Sequence, residues 1–284
     1  MNKKKTALII EGGGNRGVFS FGITDSFLKE KFDPFDIYIG VSNGAAVLFW
    51  YLMKESENNL DKILFGAKSK YINYKNIFTN KDIIAFNELY QDANKYFKPD
   101  LKKLKKNIGE KKYFVTVSDA VKAKAEYIEF KETGWINAMI ASGTLPFLVK
   151  KPSIIDGRRK FDGGITDPLP VKKAYELGAK KIIVVRTYEK EFRRKIKLEN
   201  YIGAFHVRNY PKLSKALLIH DKTYNQSLEF INNPPKDCQI NQLCPPNRLK
   251  TKRDSKSNSI MEADYNLGLS IGREFIESSA LSFD

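Results

Sequence analysis

The sequence contains few of the residues that mark metal centres, disulfide scaffolds and histidine-based active sites. Its 284 residues include two cysteines, Cys238 and Cys244, and two histidines, His206 and His220. Two cysteines with no histidine close by in the sequence are too few for a zinc site or a disulfide framework. We therefore expect two free thiols of a cytosolic protein, and neither a metal nor an organic cofactor.

Long apolar segments are also missing from the sequence. The longest uncharged apolar run, residues 45–53, has about half of the ~20 residues that a membrane-spanning helix needs. The apolar run at residues 6–10 follows a basic start, but Glu11 and three glycines end it, which argues against a signal peptide. We expect a cytoplasmic protein without a transmembrane segment, able to contact a membrane peripherally.

Acidic residues are fewer than basic ones: the sequence has 33 Asp and Glu and 49 Lys and Arg, which gives a formal net charge of +16. The basic residues concentrate at 102–112, 150–160 and 180–197. Such a surface attracts anionic lipid headgroups and nucleic acid alike. It can also serve only to keep the protein soluble. Charge alone does not decide between these roles.

Apolar patterning predicts a strand, a glycine turn and a helix twice in succession. The strands are expected at residues 6–10 and 36–39, and the helices at 18–28 and 45–53. Repeated β-loop-α units predict one compact α/β unit with a parallel, helix-covered sheet. Further strands are expected at 112–117, 125–130, 159–161 and 181–186, and further helices at 135–142, 171–177, 212–231 and 261–277. After residue 186 the chain is expected to be mainly helical.

The first glycine turn comprises Gly12, Gly13, Gly14, Asn15, Arg16 and Gly17. A turn of this kind between a strand and a helix presents backbone N–H groups to an anion. It also fits the dinucleotide-binding pattern G-x-G-x-x-G. That kind of site requires an acidic residue at the end of the second strand to bind the ribose. Gly40-Val-Ser42 stands there instead, so nucleotide binding is the weaker interpretation.

The second turn, from Gly40 to Gly44, fits G-x-S-x-G, in which a strained turn exposes a nucleophilic serine, here Ser42. The helix that follows places its positive end beneath a developing oxyanion. A structural glycine turn with an idle serine is the alternative. A triad of Ser42, Asp162 and either His206 or His220 would suit an α/β-hydrolase, but that fold places several strands before the serine. Both histidines lie in the Lys-rich tail, where a surface or packing role is more typical.

The third turn places Asp162 before Gly163 and Gly164, at the end of a predicted strand. In a parallel sheet its carboxylate would lie at the same edge as Ser42. A carboxylate with the ordinary pKa of about 3.9 is a poor base, so this role requires burial or a directed hydrogen bond. The alternative is an aspartate that only caps its own turn.

These three turns, in this order and at these spacings, resemble those of the patatin-like phospholipase family. Residues 141–146, Ala-Ser-Gly-Thr-Leu-Pro, are similar to the A-S-x-x-x-P segment that this family carries between nucleophile and aspartate. The resemblance covers roughly residues 6–190, and the tail is similar to that of bacterial members. It implies a three-layer α/β/α fold with a mainly parallel sheet, and a lipid acyl hydrolase that needs no metal.

By this resemblance Ser42 is the nucleophile and Asp162 the general base, and residues 12–14 with Arg16 stabilise the oxyanion. Asp162 would take the proton of Ser42, and water would release the fatty acid from an acyl-enzyme. Arg16 is expected beside the oxyanion loop or near a lipid phosphate, and packing through a salt bridge is its alternative role.

The expected organisation is a catalytic core at residues 1–190, with a helical insertion at 58–104 that decides acyl-chain selectivity, and a mainly helical region at 191–284 packed on the core. The expected partners are a phospholipid or another acyl-ester lipid and, peripherally, an anionic membrane surface; nucleic acid is not expected. Two alternative functions stay open. One is a Ser-Asp-His esterase, and the other is a non-catalytic basic protein that binds nucleic acid or a nucleotide.

Overall fold

The computed structural model describes residues 4–55, 58–79, 81–131 and 134–279. Within these ranges the strands are β1 (Lys5–Ile10), β2 (Ile37–Val41), β3 (Lys112–Asp119), β4 (Ala125–Glu129), β5 (Ser153–Ile155), β6 (Arg158–Asp162), β7 (Ala179–Val185) and β8 (Gln239–Leu243). The helices are α1 (Gly17–Lys29), α2 (Asn43–Met53), α3 (Leu60–Gly66), α4 (Phe86–Phe97), α5 (Leu101–Ile108), α6 (Trp135–Gly143), α7 (Val171–Glu176), α8 (Leu198–His206), α9 (Pro211–Leu218), α10 (His220–Asn232) and α11 (Asn258–Ser279).

The strands form one mixed sheet in the order β5-β6-β3-β2-β1-β7-β8, with β4 paired to β3 as well. The pairs β3-β2, β2-β1, β1-β7 and β7-β8 are parallel. β4 and β6 run antiparallel to β3, and β5 runs antiparallel to β6. The predicted α/β fold with a mainly parallel central sheet is therefore confirmed.

Helices cover both faces of the sheet, because successive side chains of a strand point to opposite sides. In β1, Leu8 and Ile10 join an apolar core with α1, α2, α6 and α11. Ala7 and Ile9 join a second core with α7 and α10. Burial on both faces explains why β1 is an apolar run rather than an alternating pattern.

One edge of β3 is shared by two partners in succession. Thr116 pairs with Val41 of β2, and the next residue, Val117, pairs with Asp162 of β6. β4 occupies the other edge of β3 at both positions. β6 therefore continues along the edge where β2 ends, and the residue after Val41 meets the last residue of β6.

The region after residue 186 differs from the predicted helical tail. β8, with the sequence Gln-Ile-Asn-Gln-Leu, adds a parallel strand to β7. Asn and Gln contribute no apolar run, so reasoning from hydrophobicity misses this half-buried edge strand. The helix predicted at 212–231 is two helices, α9 and α10, separated at Ile219. The three-residue strand β5 was also not predicted.

The last helix, α11, contacts the backbone of α1 directly. A Cβ atom on Gly268 would lie 2.2 Å from the carbonyl oxygen of Phe19, and one on Gly22 would lie 2.1 Å from that of Tyr265. Two helices approach this closely only where both lack side chains at the crossing. The C-terminal region is thus part of the core layer that covers the sheet. Among the described helices none has the length and apolar composition needed to cross a bilayer.

Candidate active site

Ser42 occupies a strained turn between β2 and α2. Its backbone has φ 52° and ψ −128°, a conformation that costs about 1–3 kcal/mol for a residue other than glycine and is characteristic of functional sites. The turn is possible because α2 approaches β1 closely: a Cβ atom on Gly44 would lie 2.3 Å from the carbonyl oxygen of Ile10. The backbone N–H of Ser42 donates to Oγ of Ser142 at 2.8 Å.

Asp162 is buried at the end of β6 and faces Ser42. Oδ1 of Asp162 accepts from the N–H of Gly164 at 2.7 Å, and the side chain of Ser42 lies close enough to the carboxylate to lower its pKa. Burial raises the pKa of Asp162 to about 6, although the Gly164 N–H, the Ser42 side chain and the charge of Arg253 act in the opposite direction. Asp162 thus caps its own turn beside the serine.

The segment at residues 141–146 connects the serine turn to the aspartate turn. Oγ of Ser142 accepts from the N–H of Ser42 and donates to the carbonyl of Thr116 at 2.7 Å. Two residues later, the carbonyl of Thr144 accepts from the N–H of Asp162 at 2.9 Å. The end of α6 therefore holds both turns in register, a role that the sequence pattern did not reveal.

The first glycine turn runs alongside Ser42. A Cβ atom on Gly12 would lie 2.9 Å from Cβ of Ser42, and Gly14 adopts a positive φ of 57°. No acceptor in the described part of the chain takes the N–H groups of Gly12 and Gly13. These amides are available beside the nucleophile, where an oxyanion hole requires donors.

Residues far along the chain hold this glycine turn in place. The N–H of Asn15 donates to the carbonyl of Arg253 at 2.9 Å, and its side-chain amide donates to the carbonyl of Ser255 at 2.8 Å. Before the turn, the buried carboxylate of Glu11 accepts from the hydroxyl of Tyr224 at 2.8 Å. The C-terminal region therefore contributes directly to the geometry of the site.

Three arginines line the same cavity as Ser42. Arg16 stacks on Tyr188, with its guanidinium 4.2 Å from the ring centroid. Arg194 lies 4.4 Å from the ring centroid of Tyr224, and Arg253 forms a bidentate ion pair with Glu199 at 3.0 and 3.2 Å.

The first two of these guanidinium groups lack a carboxylate partner. The Nε atoms of Arg16 and Arg194 are buried without a hydrogen-bond partner, and no carboxylate within the described ranges forms an ion pair with either residue. The charge of Glu11 acts on Arg16 without an ion pair between them, and the role of Arg16 stays a prediction. Arg194 and Arg253 were missed because nothing in their local sequence distinguishes them from the other basic residues of the tail.

His220 lies at the site, whereas a surface or packing position was expected. Its Nε2 is 2.7 Å from the carbonyl oxygen of Gly164, so the ring donates there. Burial lowers the pKa of His220 to about 3, and Arg194 and Arg253 lower it further by repulsion. A neutral ring whose Nε2–H is engaged cannot accept the serine proton at that atom. His206 is half-buried and does not line the cavity.

The cavity has a volume of about 230 Å³ and two chemically different ends. Ser42, Asp162, the first glycine turn and the arginines form the polar end. The apolar end is lined by side chains of α2, α3 and α4, among them Trp50, Ile63, Phe65, Phe86, Leu89 and Phe97. α3 and α4, which belong to the region at 58–104, thus supply much of the apolar lining of the cavity.

Other chemistry-bearing groups are scattered. Cys238 is buried and Cys244 half-buried, and both are free thiols. Within the ranges that the structure describes, no three His, Cys, Asp or Glu side chains come together as a metal site would require.

The fold and the turn at Ser42 are those of an α/β protein with a serine-centred site. A family model described as patatin-like phospholipase matches residues 8–175, so the chain belongs to the patatin-like phospholipase family. This membership supports lipid hydrolysis as the general activity. A second model, for a domain of unknown function (DUF6363), matches residues 210–281.

Similarity to individual proteins extends over nearly the whole chain. The uncharacterized protein YjjU of Escherichia coli K12 is 26% identical over 282 residues, which cover 96% of this chain and 77% of YjjU. The crystal structure of VipD from Legionella pneumophila is 14% identical, with a TM-score of 0.45, and the match covers 97% of this chain and 67% of VipD.

The position of His220 generates a prediction about the base. Replacing His206 and His220 together by Gln should leave at least about a tenth of the hydrolysis rate of a soluble p-nitrophenyl ester, because removing a true general base costs about a hundredfold or more. Gln at position 220 can still donate to Gly164. Steady-state kinetics test this, and a loss of three orders of magnitude with an unchanged circular dichroism spectrum would establish a histidine-based triad.

Proposed function

We propose that this chain is a serine lipid acyl hydrolase of the phospholipase A or lysophospholipase type, acting through a dyad of Ser42 and Asp162. One observation carries the proposal: the strained Ser42 and the buried carboxylate of Asp162 lie next to each other in one half-apolar cavity. An acyl ester presents both a polar carbonyl for the serine and an apolar chain for the opposite wall.

In the proposed reaction Asp162 takes the proton of Ser42 as Oγ attacks the acyl carbonyl carbon. The amides of Gly12 and Gly13 and the N-terminus of α2 stabilise the negative charge on the carbonyl oxygen. As the tetrahedral intermediate collapses, Asp162 returns the proton to the departing alcohol and Ser42 keeps the acyl group. Water then attacks the acyl-enzyme, Asp162 takes its proton and passes it to Ser42 Oγ, and the fatty acid leaves.

The environment of Asp162 supports its role as the base. An ordinary aspartate is too weakly basic to share a serine proton near neutral pH, and burial corrects this by raising its pKa to about 6. At pH 7 the carboxylate is still mostly ionised and ready to accept. His220 is a weaker base, because burial lowers its pKa to about 3, and its Nε2–H is engaged by the carbonyl of Gly164; both favour Asp162 as the base beside Ser42.

The arginines at the polar end favour a substrate with an anionic group near the ester. Arg16 and Arg194 lack carboxylate partners among the described residues, and their buried Nε–H groups are unsatisfied. A phosphate accepts several charge-assisted hydrogen bonds from guanidinium groups. This favours a phospholipid or lysophospholipid over a neutral glyceride.

The dyad is tested by Ser42→Ala and Asp162→Asn. Each should lower the hydrolysis of a soluble p-nitrophenyl ester by about 10⁴-fold or more, because catalytic residues that act as a unit cannot work singly. Circular dichroism and thermal unfolding verify that the variants fold. Activity within tenfold of the wild type in either folded variant would contradict the dyad. A wild-type protein without ester hydrolysis that binds nucleic acid tightly and salt-dependently would favour the non-catalytic alternative.

The pH dependence gives a second test of Asp162. Because the base must be ionised, kcat/KM for the soluble ester should rise with pH through a single ionisation near pH 6 and level off above it, falling about tenfold per pH unit below.

A second carboxyl group provides the control for this pH profile. Burial also raises the pKa of Asp167 to about 6, where it accepts from the hydroxyl of Tyr127 at 2.6 Å. Asp167→Asn keeps an acceptor for Tyr127 and should leave the midpoint unchanged. If the pH midpoint near 6 disappears in Asp167→Asn, the ionisation belongs to Asp167 and the proposed role of Asp162 is contradicted.

The headgroup preference is tested by Arg194→Gln with two substrates that share one acyl chain. We expect kcat/KM for lysophosphatidylcholine to fall at least about tenfold, because a charge-assisted hydrogen bond to the phosphate is lost. We expect kcat/KM for the matching monoacylglycerol, which has no phosphate, to change less than about threefold. Lys62→Gln is the control, since Lys62 also lines the cavity but contacts Trp50 and Phe97 at its apolar end. Equal losses on both substrates would contradict a phosphate-binding role.

A further inference from the structure

The helix α8 exposes an apolar face. The side chains at positions i, i+3, i+4 and i+7 are 74%, 54%, 36% and 65% exposed and belong to Leu198, Tyr201, Ile202 and Phe205. In a globular protein this spacing marks the stripe that a helix buries against its core. Here it is turned outward, and we name these four residues the α8 face.

The opposite side of α8 accounts for how the helix is held. Ala204 packs in an apolar cluster with Leu213 and Leu217 of α9. A Cβ atom on Gly203 would lie 3.5 Å from Leu217 and 3.8 Å from Phe147, so this side is in close contact. The α8 face therefore contributes little to packing, and its apolar character needs another explanation.

Basic residues lie at both ends of the α8 face. Residues 193–215 contain seven Lys and Arg and a single carboxylate, Glu199, which is paired with Arg253. Lys195, Lys197 and Lys212 are exposed, and the guanidinium of Arg208 lies 4.6 Å from the ring centroid of Phe205. An apolar helical face bordered by Lys and Arg is the composition of helices that lie in the headgroup region of anionic bilayers.

The same helix lies beside the candidate active site. Glu199 and Asn200 line the cavity that holds Ser42. Lys197 and Ile202 line a second cavity of about 630 Å³, which shares Arg16, Phe147 and Arg253 with the first. A lipid surface in contact with the α8 face would therefore sit next to the polar end of the candidate site.

We propose that the α8 face is an interfacial docking site for an anionic lipid bilayer. Leu198, Tyr201, Ile202 and Phe205 insert at the boundary between headgroups and acyl chains, and the Lys and Arg at both ends contact lipid phosphates. The purpose of this docking rests on the proposed lipid hydrolase function, because such an enzyme takes its substrate from a bilayer. The binding itself is a separate property and can be measured without catalysis.

The test uses the full chain carrying Ser42→Ala, so that the vesicles remain intact. Sedimentation with vesicles of equal parts phosphatidylcholine and phosphatidylglycerol is compared with and without the additional pair Leu198→Ser and Phe205→Ser. We expect at least about tenfold weaker binding in the pair, because two large apolar side chains no longer enter the interface. Binding of the Ser42→Ala parent should also weaken as salt increases or phosphatidylglycerol is omitted.

Tyr96→Ser, made in the same Ser42→Ala background, is the matched control. Tyr96 is an aromatic residue that is 70% exposed on a different helix, α4, where its ring packs against Phe65 and Phe97. Its neighbour Phe97 contacts Trp50, which lies about two turns along α2 from Ser42. This variant should bind vesicles within about twofold of its parent. With Ser42 present, the pair Leu198→Ser and Phe205→Ser should hydrolyse a soluble ester at an unchanged rate, which shows that the fold and the site are intact.

Three results would overturn the docking proposal. The first is equal vesicle binding by the pair and its parent, and the second is binding that ignores both phosphatidylglycerol and salt. The third is a dimer of the parent that becomes monomeric in the pair, which would make the α8 face a contact between two copies. If vesicle binding is lost in the pair while no variant hydrolyses any ester, the docking site stands and the hydrolase function fails.

Discussion

The candidate site depends on the way two strands share one edge of β3. Thr116 pairs with the last residue of β2 and Val117 pairs with Asp162, the last residue of β6. Consecutive residues of a strand are about 3.3 Å apart along its axis, so backbone pairing with β3 brings the serine turn next to the aspartate. Ser142 and Thr144 add hydrogen bonds to both turns. The proposed dyad is therefore held by the sheet and by α6, the rigid support that a preorganised site requires.

This placement also determines the electrostatics of the site. The junction of β2, β3 and β6 lies below the helices, so Asp162 is buried and its pKa rises to about 6. A serine hydroxyl and one backbone N–H stabilise the ionised form only partly, which leaves the carboxylate basic enough to share a proton. The same burial, together with two nearby arginines, removes the positive charge from His220. Burial thus raises the basicity of Asp162 and lowers that of His220, as the proposed dyad requires.

Much of this arrangement could be predicted from the sequence, because the turns are local. Ser42 stands in a short glycine pattern after an apolar strand and Asp162 in another after the basic strand β6, and each pattern predicts its turn. Their common edge was expected from parallel strands, but β6 runs antiparallel to β3 and meets the end of β2 along it. Contacts between distant segments leave no such signal. The side chain of Asn15 bonds a residue 240 positions later, and Arg194 resembles any other basic residue of the tail. The polar strand β8 and the break between α9 and α10 escaped prediction because tertiary pairing, and not local hydrophobicity, determines them.

The C-terminal region is inseparable from the candidate site for the same reason. The carbonyl of Arg253 holds the first glycine turn through Asn15, and His220 donates to the carbonyl of Gly164 beside Asp162. α11, which follows Arg253 in the chain, contacts the backbone of α1 without intervening side chains, so the C-terminal region packs on the same core that carries the first glycine turn. Residues 210–281, which match a domain of unknown function, thus complete the walls and the loop supports of a candidate site whose Ser42 and Asp162 lie within residues 8–175. These two residues and their supports consequently form one structural unit that spans both family matches.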